Sequence, residues 1–264
     1  MVYANSPRVH YNKPQLAEVI CQLRFPTILS IGANDPAEFQ AAIRGMFPRF
    51  TARQEQPAPR ITGLGTPAAK VEAGKPVTNY HFISADGKWK LNLTNDFISL
   101  STVAYPGWEE FGKQLDLPLA QFIRIYHPAY FERIGLRYMN IFSRRALDLE
   151  GESWRDLIAP HYLGILAAED MDESMASKCS LDVEFSMDSS CRAKIHAGPG
   201  MVKKNIPNAP QDPEVKFIFD MDLFMGGQID PRMAAAGLET LHAHSTSLFQ
   251  GAITDRLHSA LEPR

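Results

Sequence analysis

Apolar and polar residues alternate at every second position along several short stretches of this chain, and apolar residues recur at every third or fourth position along others. The first alternation is LAEVICQLRF, where Val19, Cys21, Leu23 and Phe25 interleave with Ile20, Gln22 and Arg24. That period belongs to a strand with one buried face. Pro14 opens it, and residues 1–12 read as a loose N-terminal arm. Asp35-Pro36 predicts a helix start, with Asp35 as N-cap and Pro36 as the first helical residue of EFQAAIRGMF. Residues 52–78, rich in Pro, Gly and Ala, predict a long loop.

NYHFISADGKWKLNLTNDFISLSTV predicts a three-stranded meander. Asp86-Gly87 is a hairpin signal. It places Ser84 opposite Trp89, Phe82 opposite Leu91 and Tyr80 opposite Leu93. Asn95-Asp96 supplies a second tight turn, which sets Leu93 beside Ile98 and Leu91 beside Leu100. The apolar residues then share one face across all three strands, as a register fixed by burial requires. A helix follows over WEEFGKQLDLPLAQFIRIY, with Trp108, Phe111, Leu115, Leu119, Phe122 and Ile123 at helical spacing and Pro118 as a point where it kinks or splits.

The order then repeats. FERIGLRYMNIF reads as a strand, and Glu152 to Leu166 as helical with a break near Pro160. CSLDVEFSM and CRAKIHA pair as a hairpin around residues 188–190, which sets Glu184 against Lys194 and Asp182 against His196. Residues 198–213 read as a second long loop, VKFIFDMDLF as a strand, and Pro231 to about Leu261 as one helix. The fold class expected is α+β: an antiparallel sheet with helices on one face, built from two duplicated β-α-β-β-β-α halves, residues 13–128 and 129–264, forming one continuous domain. Such a duplicated sheet is like the TATA-binding-protein saddle or a helix-grip fold, a likeness that carries no function.

Composition narrows the function classes. Of 264 residues, 45% are hydrophobic and 22% charged, which excludes global disorder. No apolar run reaches the ~20 residues of a membrane span. The N-terminal residues show no secretory signal, so a cytoplasmic location is expected. Cys21, Cys179 and Cys191 form no C-x-x-C pair, and no disulfide framework, structural zinc or other cofactor is expected. A net charge of -3 argues against a dedicated nucleic-acid binder. Phosphate-loop, dinucleotide, nucleophile-elbow and His-Glu-x-x-His motifs are all missing.

The polar face of the sheet holds the candidate chemistry. In the first half it carries Gln22, Arg24, His81, Lys88, Lys90, Asn92, Ser99 and Ser101, and in the second Arg133, Arg137, Asp182, Glu184, Ser186, Arg192, Lys194, His196, Lys216, Asp220 and Asp222. Arg24 and Arg137 hold equivalent places in the two halves and suit a carboxylate or phosphate, unless each pairs with a nearby acid such as Glu18 or Glu132. The leading expectation is a non-catalytic binding or interaction protein that uses this face, with Arg24, His81, Lys90, Arg133 and Arg137 contacting an unidentified protein or small molecule. The alternative is a metal-assisted hydrolase built on Asp182, Glu184, His196, Asp220 and Asp222, whose oxygen and imidazole groups suit a divalent cation. A face of salt pairs explains the same residues. A second alternative is nucleic-acid binding on the basic residues of the face. A homodimer through a sheet edge or the last helix fits the same pattern.

Three segments carry a family resemblance. The first strand runs from Pro14 to Phe25 and includes Glu18 and Arg24. A central segment holds Ile98-Ser99-Leu100-Ser101, Tyr105, Trp108 and Phe111. A later strand holds Arg133, Gly135-Leu136-Arg137-Tyr138 and Asn140. With the terminal HSTSLFQGAITDRLHSAL, the chain resembles a sporadically distributed family of bacterial proteins of similar length with no established activity. The resemblance implies a bacterial cytoplasmic protein and transfers no catalytic residue.

Overall fold

The computed structural model describes residues 9–56, 60–62, 70–72, 74, 76–202 and 212–264. The fold is α+β, with one large antiparallel sheet. Its strands are β1 (Leu16–Arg24), β2 (Arg49–Glu55), β5 (Val77–Ile83), β6 (Trp89–Leu93), β7 (Phe97–Thr102), β8 (Phe131–Phe142), β9 (Leu181–Ser186), β10 (Cys191–Met201) and β11 (Val215–Ile229). They lie in the order β2-β5-β6-β7-β1-β8-β11-β10-β9, and β3 (Arg60–Thr62) and β4 (Lys70–Glu72) pair separately. The helices are α1 (Leu29–Ala33), α2 (Ala37–Ile43), α3 (Trp108–Tyr126), α4 (Trp154–Leu157), α5 (Ala234–Ala252) and α6 (Asp255–Ala260). The chain divides into two compact units, one of residues 1–20, 135–226 and 234–264, the other of residues 21–134 and 227–233.

In the unit of residues 21–134, the meander register is the one the alternation dictates. Tyr80 pairs with Leu93, Phe82 with Leu91, Leu91 with Leu100 and Leu93 with Ile98. The connection is a four-residue turn, Ala85 to Lys88, rather than a two-residue one. Ser84 Oγ and the Lys88 N–H both donate to Asp86, and Gly87 takes a positive φ. The apolar face carries Tyr80, Phe82, Trp89, Leu91 and Leu93, all buried. α3 packs on it through Phe111 against Trp89, with ring centroids 5.6 Å apart, and α2 through Phe39 against Phe82, 5.5 Å apart. α3 runs unbroken through Pro118, which is itself buried within the stripe of Phe111, Leu115, Leu119 and Phe122. Burial of that stripe outweighs the one backbone bond the proline forfeits. The helix ends at His127, whose left-handed backbone sends its N–H to Ile123 O.

Two further expectations in this unit are corrected. α2 begins one residue later than Asp35-Pro36 suggested: Pro36 is the N-cap, and Asp35 contributes its backbone carbonyl to the Ala37 N–H rather than a side-chain cap. Residues 52–55 and 77–78 belong to strands rather than to a long loop, because β2 pairs with β5 from Arg49 opposite Ile83 to Glu55 opposite Val77. All seven β2 residues are exposed, so no buried face imposes an alternation on the sequence.

In the other unit, β9 and β10 pair with Glu184 opposite Lys194 and Asp182 opposite His196, as the hairpin reading requires. β10 continues to Met201 and pairs with β11 as far as Val215, so residues 198–201 are strand and not loop; residues 203–211 of the expected loop lie outside the described residues. Segment 152–166 breaks near Pro160 into α4 and two short 3-10 turns. These pack on β11 through Trp154 against Phe217 and Tyr162 against Phe219. The expected single last helix is two. Thr254 caps α6 by accepting from the Leu257 N–H. At the same break Ala252 O accepts from the Ala159 N–H, and the Thr254 N–H donates to Leu157 O. The N-terminal arm is docked from residue 10 onward: Asn12 and Lys13 donate backbone bonds to Glu262 O and Leu261 O, and Lys13 pairs with Glu262 at 2.9 Å.

Candidate functional site

The strand parity that buries Tyr80 and Phe82 sends Asn79 and His81 to the opposite face of β5. Thr51 and Arg53 of β2 sit across from them on one side, with Thr51 opposite His81 and Arg53 opposite Asn79. On the other side Asn92 lies opposite His81, and Lys90 follows two residues along β6. Ser99 and Ser101 of β7 sit across from Asn92 and Lys90. One polar patch thus spans four consecutive strands.

This face was expected to be open, and in its centre it is not. Asn79 is 5% exposed, His81 9%, Ser99 4% and Ser101 6%. Alternation shows which face a side chain takes, not whether that face is covered.

The hydrogen bonds fix what the patch presents. Asn79 Nδ2 donates to Glu55 Oε1 at 2.9 Å, so its Oδ1 points away from the carboxylate. Asn92 Nδ2 is turned to Ser99 Oγ, at 3.5 Å, and its Oδ1 lies 2.7 Å from His81 Nδ1. With the Asn92 amide oxygen facing it, a neutral His81 ring carries its proton on Nδ1 and presents Nε2 as a lone pair. Asn79 Oδ1 and His81 Nε2 are both buried and neither has a hydrogen-bond partner. Two residues along one strand span about 7 Å, so these two acceptors are close neighbours. An unmet buried polar atom costs about 1–3 kcal/mol, and such atoms are normally met by water or a ligand.

The other expected site residues fall elsewhere or are already engaged. Lys90 is half-buried in the patch, and no acid pairs with it among the described residues. Arg24 reaches Asp96 at 3.8 Å rather than Glu18. Arg137 grips Asp220 with both arms of its guanidinium, Nε to Oδ1 at 2.8 Å and Nη2 to Oδ2. That contact, with Asp222 and Glu18 nearby, raises the Arg137 pKa further. Arg133 is half-buried near Cys21, whose thiol burial pushes up to about 12 against the pull of that guanidinium.

The acidic set forms pairs rather than a cation cage. Asp182 holds His196 Nδ1 at 2.9 Å, Glu184 holds Arg192 at 2.7 Å, Asp220 holds Arg137, and Asp222 lies opposite Lys194. Among the described residues no group of three or more His, Cys, Asp or Glu side chains is arranged to hold a metal ion. No described helix is long and apolar enough to cross a membrane. Asn79, Arg53 and Thr51 were missed from sequence. Asn79 carried a usable signal, since it lies two residues before His81 on the same strand. Comparison with known proteins adds no residue to this set: no family model, curated protein or solved structure matches the chain.

Proposed function

We propose that the chain is a non-catalytic binding protein whose site is the polar face of β5, β6 and β7, centred on Asn79 and His81. The observation that carries this reading is the pair of neighbouring buried acceptors, Asn79 Oδ1 and His81 Nε2, that the protein itself leaves unmet. A fold that only needed a stable sheet would gain from apolar residues there, because half-satisfied buried polar groups are worse than an apolar core.

The non-catalytic reading is supported by the burial of two of the three thiols. Burial raises the Cys21 thiol to about 12, and burial together with Asp188 raises Cys191 to about 11, which leaves both poor nucleophiles. We also read the sheet as the product of an internal duplication. The order β5-β6-β7-β1 has its counterpart in β9-β10-β11-β8, and in each half a helical segment follows the first strand while a long helix closes the half. On that reading β2 and the β3–β4 pair are additions to the first half, and β2 contributes Thr51 and Arg53 to the site.

Native mass spectrometry of protein taken directly from its producing cells tests the function. The expected spectrum shows a retained small molecule on the wild-type chain that is missing from the Asn79→Leu/His81→Leu double variant. Identical spectra for the two proteins would overturn the reading.

A further inference from the structure

Resting on the binding reading just given, we infer that the site takes a small hydroxylated anion, a molecule that carries both hydroxyl groups and a phosphate or carboxylate. The two unmet atoms at the buried centre are acceptors. Asn79 Oδ1 faces away from Glu55 because its amide nitrogen donates there. A neutral His81 ring whose Nδ1 donates to Asn92 presents Nε2 as a lone pair. A ligand that meets both must bring donors, and a bare anion brings none. Hydroxyl groups donate to these acceptors and can also accept from the hydroxyls of Ser99 and Ser101 on the same face.

The flanks of the patch call for negative charge. Arg53 lies across from Asn79 and Lys90 lies diagonally across from His81, one on each neighbouring strand. Diagonal cross-strand neighbours are about 7–8 Å apart, within the reach of a lysine side chain. Neither cation is in an ion pair among the described residues, whereas Arg24, Arg137 and Arg192 each have an acid. Among the described residues Glu55 is the one carboxylate hydrogen-bonded to Asn79 or His81, and it keeps its negative charge while accepting from Asn79. The patch thus combines hydrogen-bond acceptors at its buried centre with two cations at its sides, set against the single negative charge of Glu55. Neutral polyols match only the centre and inorganic anions only the sides.

The test uses the full chain and four probes: glycerol phosphate, glycerate, glycerol and inorganic phosphate. Titration calorimetry reads affinity, and the imidazole nitrogen resonances of His81 report whether Nε2 gains a donor. The expected result is that glycerol phosphate or glycerate binds with a shift at His81 Nε2, at least tenfold more tightly than glycerol or phosphate. Lys90→Gln and Arg53→Gln, both outside the core, should each weaken that binding at least fivefold. The stronger of the two hydroxylated anions identifies phosphate or carboxylate as the charged group. Equal binding of glycerol and glycerol phosphate, with the His81 shift retained and no effect of Lys90→Gln, would overturn the anionic class while leaving the binding reading intact. Failure of all four probes to move His81 Nε2 would overturn the inference. If the retained-ligand experiment also failed, the binding reading would fall with it, and ordered water would be left as the partner of these atoms.

Discussion

Gly198 tests how tightly β10 is clamped. A Cβ built on this residue lies 2.4 Å from Cys179 O and 3.0 Å from Ser180 Cα, and its φ of +159° is one that side chains rarely adopt. All the close atoms are backbone, so no side-chain rotation can relieve the contact. Either β10 or the 179–180 segment must move by about an ångström, at the cost of neighbouring pairs such as Ala197 with Leu181. Overpacking of this kind costs about 1–3 kcal/mol, and a side chain forced into a sparsely populated backbone region adds about 1–3 kcal/mol. Gly198→Ala is therefore expected to destabilise by about 3 kcal/mol or more. Gly200→Ala, two residues along the same strand, is the control. Its Cβ meets only Ile218 Cδ1, at 3.5 Å, an ordinary contact. It should lie within about 0.5 kcal/mol of wild type. Urea denaturation followed by tryptophan fluorescence measures both, with Trp154 reporting from the same unit. In a thermal melt the Gly198→Ala loss corresponds to roughly 6–12 °C. A Gly198→Ala protein that matched Gly200→Ala would refute the argument, because it would mean that the Cys179 carbonyl is free to give way.

Other interactions carry comparable expectations. Arg144 donates to Glu152 O at 2.7 Å and to Glu173 at 2.5 Å, and lies 4.4 Å over the Trp154 ring. Arg144→Ala should cost about 2–3 kcal/mol and shift the tryptophan emission, and Arg144→Lys should recover less than half, since lysine lacks the planar fork. Asp188 accepts from the Ser190 and Cys191 N–H groups and from His244, which holds its carboxyl well below the usual range. A depressed folded pKa gives stability that is present above the unfolded value of about 3.9 and is lost as pH falls toward the folded one. Asp188→Ala should therefore cost about 1 kcal/mol at neutral pH, and its gap to wild type in denaturation curves should narrow steadily below about pH 4. Thr254→Ala removes the cap on α6 and should cost about 1 kcal/mol, whereas Thr254→Ser should restore most of it.

The parts of the fold that were legible in sequence are those in which burial imposes a period. Tyr80, Phe82, Leu91, Leu93, Ile98 and Leu100 constrain one another across three strands, so a single register satisfies them all, even though the turn proved to be four residues long. β2 escaped because an exposed edge strand such as RFTARQE has no buried face to create a pattern. The division of the last helix did leave a mark. The buried positions Leu238, Leu241, Ser245, Leu248 and Ala252 keep helical spacing, and then Ala252 to Leu257 slips to five residues around Thr254-Asp255. A helix cannot keep both sides of such a slip on one face.

The candidate site was half legible for a related reason. Parity alone placed His81, Lys90, Asn92, Ser99 and Ser101 on one face, but the same rule gave Asp182, Glu184, Arg192 and His196 an equal claim. Only the state of their polar atoms separates the two sets. In the second set every charge finds a partner while staying in contact with water: Asp182 is 63% exposed and pairs with His196, and Arg192 is 55% exposed and pairs with Glu184. Such pairs are worth about 0–1 kcal/mol and explain the residues without a ligand. On the first face Asn79, His81, Ser99 and Ser101 are nearly out of solvent, and two acceptors, Asn79 Oδ1 and His81 Nε2, are unmet. Burial there costs free energy that the fold does not recover from its own hydrogen bonds, and a ligand with matching donors would recover it. Composition is blind to this difference, because both faces read as polar and mixed. What distinguishes a site from a solvated surface here is the combination of burial with an empty hydrogen-bonding position, and that combination arises only once β2, β5, β6 and β7 are placed side by side.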